Sequence, residues 1–427
     1  MPYWCRAPVR ILFLSPRQCW PPTSGAKLRD FHLARALGRR AEVSYVFFSQ
    51  EGAPPPPAQD LCCRELVAVP PPRRYTPWKI VRGLFGRWPL PVVNYTSPEM
   101  KTELSRLTKG RSFDLVHLDS IHMTGYLPLL EKRLGTVRAV YDWHNIESES
   151  MLRYGTNTDS VPRKVYAAIT ARRLASLERA VLASAFGHIV CSEREGLQLL
   201  GIAPGRRVEV IDNGVDTAAW SEESEATRDR LLFVGAMRYH ANVDAVVTFA
   251  RGVWPRVHAR FPGWRLTVVG ADPAPEVLAL RALPGVEVTG TVPEVKPYYR
   301  EAVAAIAPLR SGGGTRLKIL EAMAAGVPVV STALGAEGLK VSPGRDILLA
   351  ETGEEWVRAL ESLAEQPQLA RQLAAASGAL VRSQYDWNVL GERLYATYDR
   401  WLREVAASPA GRAASPSPPA THARPVS

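Results

Sequence analysis

The stretch SGGGTRLKILEAMAAGVPVVST, residues 311–332, gathers residues suited to holding an anion. Gly312, Gly313 and Gly314 precede Thr315, Arg316 and Lys318, and a helical pattern follows in which Ile319, Leu320, Met323 and Ala324 share an apolar face. A helix start leaves backbone N–H groups unpaired and carries the positive end of the helix dipole, so phosphate binds there readily. Arg316 and Lys318 add full charges at that point. Glu321 follows Lys318 by three residues, on an adjacent helix position, where its carboxylate can accept hydrogen bonds from ribose hydroxyls. The plainer reading of the Lys318–Glu321 pair is a surface ion pair at the same spacing. The turn is neither a G-x-x-x-x-G-K-[ST] loop nor a G-x-G-x-x-G fingerprint after the first strand of either half. A nucleoside diphosphate spanning a crevice fits this placement.

Elements on either side must position that turn. ILFLS (11–15), a turn containing Gly25, the helical pattern KLRDFHLARALGRR and AEVSYVFF (41–48) make a βαβ unit. Apolar runs at 113–118, 137–141, 188–192 and 208–212 continue a parallel sheet, and VIDNGVD (210–216) reads as a hinge. The second half repeats the alternation, with strands expected at 231–235, 266–270, 286–290, 304–308, 327–331 and 347–350. Val243, Val246, Phe249 and Val253 recur at helical spacing behind Asn242, a candidate cap. The class is α/β, with two Rossmann-like, doubly wound parallel-sheet domains whose ligands lie beyond the strands' carboxyl ends, in a central cleft. We expect a first domain over 1–210, a second over 211–385, a helix over 386–406 crossing back to the first, and a disordered Pro/Ser/Ala-rich tail over 407–427.

The chain of 427 residues is long enough for two cores. All of its +11 formal charge resides in residues 1–200. That asymmetry suits anionic headgroups or a phosphorylated acceptor, and no recognition motif supports nucleic acid. The five cysteines are scattered, without C-x-x-C or metal spacing, which favours a reducing, cytoplasmic setting and disfavours zinc. RRYTPWKIVRGLFGRWPL (73–90) interleaves Trp78, Val81, Phe85 and Trp88 with basic residues, and VPRKVYAAITARRLASLERAVL (161–182) is a second basic helix. Such helices can lie in a membrane interface, which would place the protein at the inner face of the cell membrane.

The motifs PPTSGAKLRDFHLARAL, VIDNGVD, FVGAMRYHANVDAVVTF, the run 292–332 and ALGAEGL together resemble the family-four (group 1) glycosyltransferases of the GT-B fold, from about residue 10 to 405. The resemblance implies transfer of a sugar from a nucleotide sugar with retained anomeric configuration, needing neither metal nor other cofactor; no D-x-D triplet occurs. It implies a saccharide or lipid-linked saccharide acceptor, as in cell-surface polysaccharide or glycolipid synthesis. His144, Arg316 and Lys318 take the catalytic roles it implies. Gly25, Arg238, Gly312, Gly313, Gly314, Thr315, Glu321 and Glu337 form the donor site. Asp142, Asn145 and Glu147, beside His144, are candidates for binding hydroxyls.

The chain departs from the family pattern at three positions. The family's first glutamate of E-x7-E falls on Gly313, and its usual Arg and Lys after the FVG strand fall on Ala236 and Ala241. The expectation is that Arg316 and Lys318 replace those cations. The rival readings are a GT-B protein that binds nucleotide sugars without catalysis, and a nucleotide-sugar epimerase of the same fold.

Overall fold

The computed structural model describes residues 8–156, 158–220, 229–312 and 316–407. The tail expected over 407–427 lies, beyond Ala407, outside the described residues. The apolar runs read from the sequence form strands because both faces of each sheet are covered, as in parallel α/β folds. The first sheet comprises β1 (Arg10–Ser15), β2 (Glu42–Phe48), β3 (Glu65–Val69), β4 (Leu115–Asp119), β5 (Ala139–Trp143), β6 (Gly187–Val190) and β7 (Val208–Val210). Its order is β3-β2-β1-β4-β5-β6-β7, and every pairing is parallel. β3 has no counterpart among the runs read from the sequence. It is a five-residue strand, ELVAV, at the edge of the sheet.

The second sheet comprises β8 (Arg230–Val234), β9 (Arg265–Val269), β10 (Val286–Gly290), β11 (Ala302–Ala307), β12 (Val329–Ser331) and β13 (Leu348–Leu349), in the order β10-β9-β8-β11-β12-β13. In both sheets the order reverses beside the first strand, between β1 and β4 and between β8 and β11. Ligands of open α/β sheets settle at such reversals.

Each sheet carries an apolar layer on either face. Phe13, Val43, Phe31 and Leu37 pack on one side of the first sheet, and Leu12, Val46, Leu104 and Tyr126 on the other. The Trp387–Ala407 helix joins the former layer through Leu390, Leu394, Tyr398 and Trp401. It lies against the Gly25–Gly38 helix so closely that a Cβ on Gly391 would overlap Ala36, and Arg40 pairs with Glu392 at 2.6 Å. Tyr398 Oη sits 2.6 Å from Nδ1 of the buried His117 on β4. Sequence-distant segments thereby fix one face of the first sheet.

Asn242 does not cap a helix. The helix runs His240–Gly252 with Tyr239 at its N-cap, and Asn242 stands in its first turn with its side chain committed elsewhere.

Candidate active site

Ser24 caps the Gly25–Gly38 helix by accepting from Lys27 N, which leaves Gly25 as the first helical residue. A Cβ placed on Gly25 would lie 3.2 Å from Leu317 Cδ1, and Leu317 opens the Leu317–Ala324 helix. The two helix starts, one from each sheet, therefore face each other at van der Waals distance. Two positive helix ends approaching so closely favour an anionic group placed between them.

Gly312 has φ +95°, and a Cβ there would sit 2.8 Å from both Ala241 Cβ and Tyr239 Oη. Only glycine suits that bend. Gly313, Gly314 and Thr315 lie outside the described residues. Arg316 is buried, and its Nη2 donates to Gly312 O and to Leu334 O, each at 3.1 Å. It braces the bend against the segment carrying the exposed Glu337. Burial lowers the Arg316 pKa, while the Glu337 carboxylate opposes that shift. Arg238 is exposed at the site's edge, paired with Asp272 at 3.6 Å.

Lys318 turns from its helix toward β8. Its Nζ donates to Asn242 Oδ1 at 2.8 Å and lies 4.2 Å from the centre of the Phe233 ring. Gly235, at the end of β8, admits it: a Cβ there would stand 3.1 Å from Nζ. Asn242 Nδ2 in turn donates to Ala236 O at 3.0 Å. The ammonium thus reaches the Ala236 loop and the first turn of the helix that bears Ala241. Burial draws its pKa down to about 7, with Arg316 pushing the same way. Glu321 accepts from Tyr299 Oη at 3.2 Å, and burial raises it to about 7.

Opposite, the carboxyl ends of β1, β4 and β5 bring together Ser15, Asp119 and His144, with Asp30 from the Gly25–Gly38 helix. His144 Nε2 is hydrogen-bonded to Asp119 Oδ1 and lies 3.5 Å from Asp30 Oδ1. Ser15 Oγ is 3.0 Å from Asp30 Oδ2 and 2.9 Å from Asp119 Oδ2, and Arg17 Nη1 is 3.5 and 3.6 Å from the same two oxygens. Two buried carboxylates so close do not both ionise readily. Burial, then repulsion from Asp119, pushes Asp30 up to about 8. Burial opposes the charge on Asp119 too, but His144 and Arg17 outweigh it and hold the carboxyl below its ordinary range. Burial disfavours the imidazolium of His144, yet Asp119 raises its pKa overall.

Asp142 is not available for substrate hydroxyls. Arg29, wholly buried, grips it with Nε to Oδ2 at 2.9 Å and Nη2 to Oδ1 at 2.8 Å. Arg29 Nη1 donates to Ile211 O at 2.7 Å, tying the pair to the segment read as a hinge. Asn145 is exposed, and burial raises Glu147. Sequence reading missed Ser15, Arg17, Asp30, Asp119 and Asn242. Ser15 and Asp119 each end a strand, so a polar last residue on an otherwise apolar run was the available signal.

With this geometry in view, the similarities are specific. The family described as "Glycosyl transferases group 1" matches residues 228–366, and that described as "Glycosyl transferase 4-like domain" matches residues 24–214; together they span more than half of the chain. The chain belongs to the group 1 glycosyltransferases of the GT-B fold. It is 24% identical over 373 residues to D-inositol 3-phosphate glycosyltransferase of Mycobacterium avium (strain 104), covering 79% of this chain and 83% of that one. Its fold is that of sucrose-phosphate synthase from Thermosynechococcus elongatus, with TM-score 0.63, 17% identity, and coverage of 93% and 100%. It is also that of Anabaena HepE solved with UDP and glucose, with TM-score 0.62, 14% identity, and coverage of 92% and 99%. The expected two-domain α/β architecture is the one these enzymes share. No described helix of this glycosyltransferase is long and apolar enough to cross a membrane.

Proposed function

We propose that this glycosyltransferase moves a sugar from a nucleoside diphosphate sugar to a saccharide or lipid-linked saccharide acceptor at a membrane surface, with retention and without a metal. The approach of Gly25 to Leu317 carries the reading, because it brings two helix N-termini together, an arrangement that suits a bound anion. HepE has been solved with UDP and with UDP-glucose, which supports a nucleotide sugar as the donor class.

Cleaving the glycosyl–phosphate bond puts negative charge on the departing diphosphate, and oriented amides and cations stabilise that charge most where water is excluded. Lys318, held by Asn242, supplies a cation beside the glycine bend. Binding the diphosphate favours the ammonium over the amine. Arg316 keeps the bend in shape through its two carbonyl contacts. Glu321, held by the buried Tyr299 hydroxyl, receives the ribose. His144, whose pKa Asp119 raises against burial, faces the donor sugar from the first domain. Asp30, Asp119 and His144 have the spacing of metal ligands among the described residues. Arg17 already balances their charge, so the cluster offers a divalent ion little.

The test is a panel of UDP-, GDP- and ADP-sugars, scored by the shift in melting temperature. It is followed by incubation of the best binder with acceptor and assignment of the product anomer by NMR. A product of inverted configuration removes the retaining mechanism, and no shift with any sugar removes the donor site. Interconversion of the donor without acceptor points instead to an epimerase.

A further inference from the structure

We propose that the Pro77–Phe85, Glu147–Thr156 and Val161–Ser184 helices together form one face that docks on an anionic bilayer. Of the acceptor reading above it uses only the lipid-linked substrate; the face itself stands on exposure, packing and charge.

The Pro77–Phe85 helix packs inward through Gly83, where a Cβ would meet Leu90 Cβ at 2.5 Å. That contact turns Trp78, Val81 and Phe85, spaced along one stripe, away from the protein. Trp78 is 68% exposed and Phe85 84%. On the Val161–Ser184 helix, Val161, Val165 and Ile169 form a second exposed stripe at four-residue spacing, and Leu152 is exposed on the helix before it. Most of the large apolar side chains exposed among the described residues lie between Tyr75 and Ile169. Single exposed apolar residues are ordinary, but a contiguous group marks an interaction surface.

Packing joins the stripes. Arg173 donates from Nη1 to Leu84 O at 2.7 Å and from Nη2 to Gly86 O, clamping the end of one helix to the flank of the other. Burial raises the pKa of Tyr166, and Tyr75, ahead of the Pro77–Phe85 helix, and Tyr154, on the Glu147–Thr156 helix, are near enough to raise it further.

Charge selects the partner. Residues 73–90 contain five Arg and Lys and residues 161–177 contain four, and neither stretch holds an Asp or Glu. Lys79 and Arg173 bond inward, while Arg82, Arg87, Arg163 and Lys164 are exposed around the apolar stripes. An apolar centre ringed by cations matches the headgroup and acyl boundary of an anionic membrane. The Glu147–Thr156 helix adds Glu147 and Glu149 beside Arg153, so the excess of cations belongs to residues 73–90 and to the first part of the Val161–Ser184 helix.

Placement suits the chemistry. The Pro77–Phe85 helix follows the carboxyl end of β3, and the Glu147–Thr156 helix follows that of β5, just past His144. The docking face therefore borders the end of the sheet that carries the catalytic cluster, and an acceptor anchored in lipid would enter beside it.

The experiment is co-sedimentation of the full chain with phosphatidylcholine vesicles and with vesicles containing phosphatidylglycerol. Binding is expected only to the anionic vesicles and should weaken as salt rises. The Trp78→Ser/Phe85→Ser variant, and separately Val165→Glu, should bind roughly tenfold more weakly. Leu197→Ser, at an exposed apolar residue elsewhere, should bind like the wild type. Equal binding to neutral vesicles, no binding at low salt, full binding by both face variants, or an equal loss in Leu197→Ser each overturns the proposal. So does a dimer that these variants convert to monomer without any vesicle binding. The melting shift with nucleotide sugar is read on the same proteins. A shift without vesicle binding refutes the docking face alone, and vesicle binding without a shift refutes the donor reading alone.

Discussion

Lys318 Nζ and Asn242 Oδ1, 2.8 Å apart, join the helix behind the glycine bend to the helix that follows β8. Asn242 also holds Ala236 O, so one amide fixes both the cation and the loop facing it. In the resembled pattern, positions 236 and 241 carry the cations that grip the leaving diphosphate. Here both are alanine, and the ammonium arrives at that loop from the opposite helix. On the function proposed above this is relocation, which unlike loss would leave a charge at that position.

Replacing Lys318 by Met should lower turnover at least tenfold, about 1.4 kcal/mol of transition-state stabilisation. Glu321→Ala should cause a loss of similar size by releasing the ribose. Stability should move the other way for Lys318→Met. Folding lowers the Lys318 pKa from 10.5 to about 7, so the unfolded chain binds the extra proton between those values. The group therefore opposes folding at and below neutral pH, and its penalty fades as pH rises. The melting temperature of Lys318→Met at pH 7 should equal or exceed the wild-type value, as calorimetry can check. Unchanged kinetics in both variants would remove the site assignment.

Donor binding should carry a proton. With Lys318 titrating near 7 in the free protein, the amine predominates at pH 8 and must be protonated when the diphosphate arrives. Calorimetric titration with a nucleoside diphosphate at pH 8, in buffers of different ionisation enthalpy, should show proton uptake by the wild type. Glu321 titrates in the same range, so the informative quantity is the difference from Lys318→Met, in which uptake should fall. Equal uptake by both proteins would exclude Lys318 as the proton acceptor.

Asp119→Asn should lower the His144 pKa, because the carboxylate sustains the imidazolium against burial. The ring-proton NMR titration of His144 should shift to lower pH, and activity near neutral pH should fall with it. If the midpoint stays where it was, Asp119 is not the group that charges His144.

Arg29→Met should be among the most damaging substitutions outside the cleft. It strands the Asp142 carboxylate in the interior and frees the Ile211 carbonyl, and breaking a buried pair in this way typically costs about 3–5 kcal/mol. Arg29→Met/Asp142→Leu should recover part of the loss, since no charge is then left unpaired. Denaturant midpoints of the two variants give the comparison directly.

Much of the fold was legible because parallel strands buried on both faces must be apolar runs, and twelve of the thirteen strands stand out in that way. β3 did not, although its ELVAV run is as apolar as the edge strands β7 and β10 that did. The glycine bend, its cations and the helix start were legible too, because they occupy adjacent positions in the chain. The first-domain cluster was not. Ser15, Asp30, Asp119 and His144 are separated by up to 129 residues and become neighbours only when strand order places β1, β4 and β5 side by side.

By itself the sequence determined the two alternating halves, the glycine bend with its cations, and the two basic helices, all of which are local patterns of composition and spacing. Tertiary structure alone decided that Gly25 meets Leu317 and that Lys318 finds Asn242. It also gave Asp142 to Arg29, although Asp142 stands only two residues before His144. Partnership across a sheet or cleft depends on strand order and helix packing, and no local spacing encodes either.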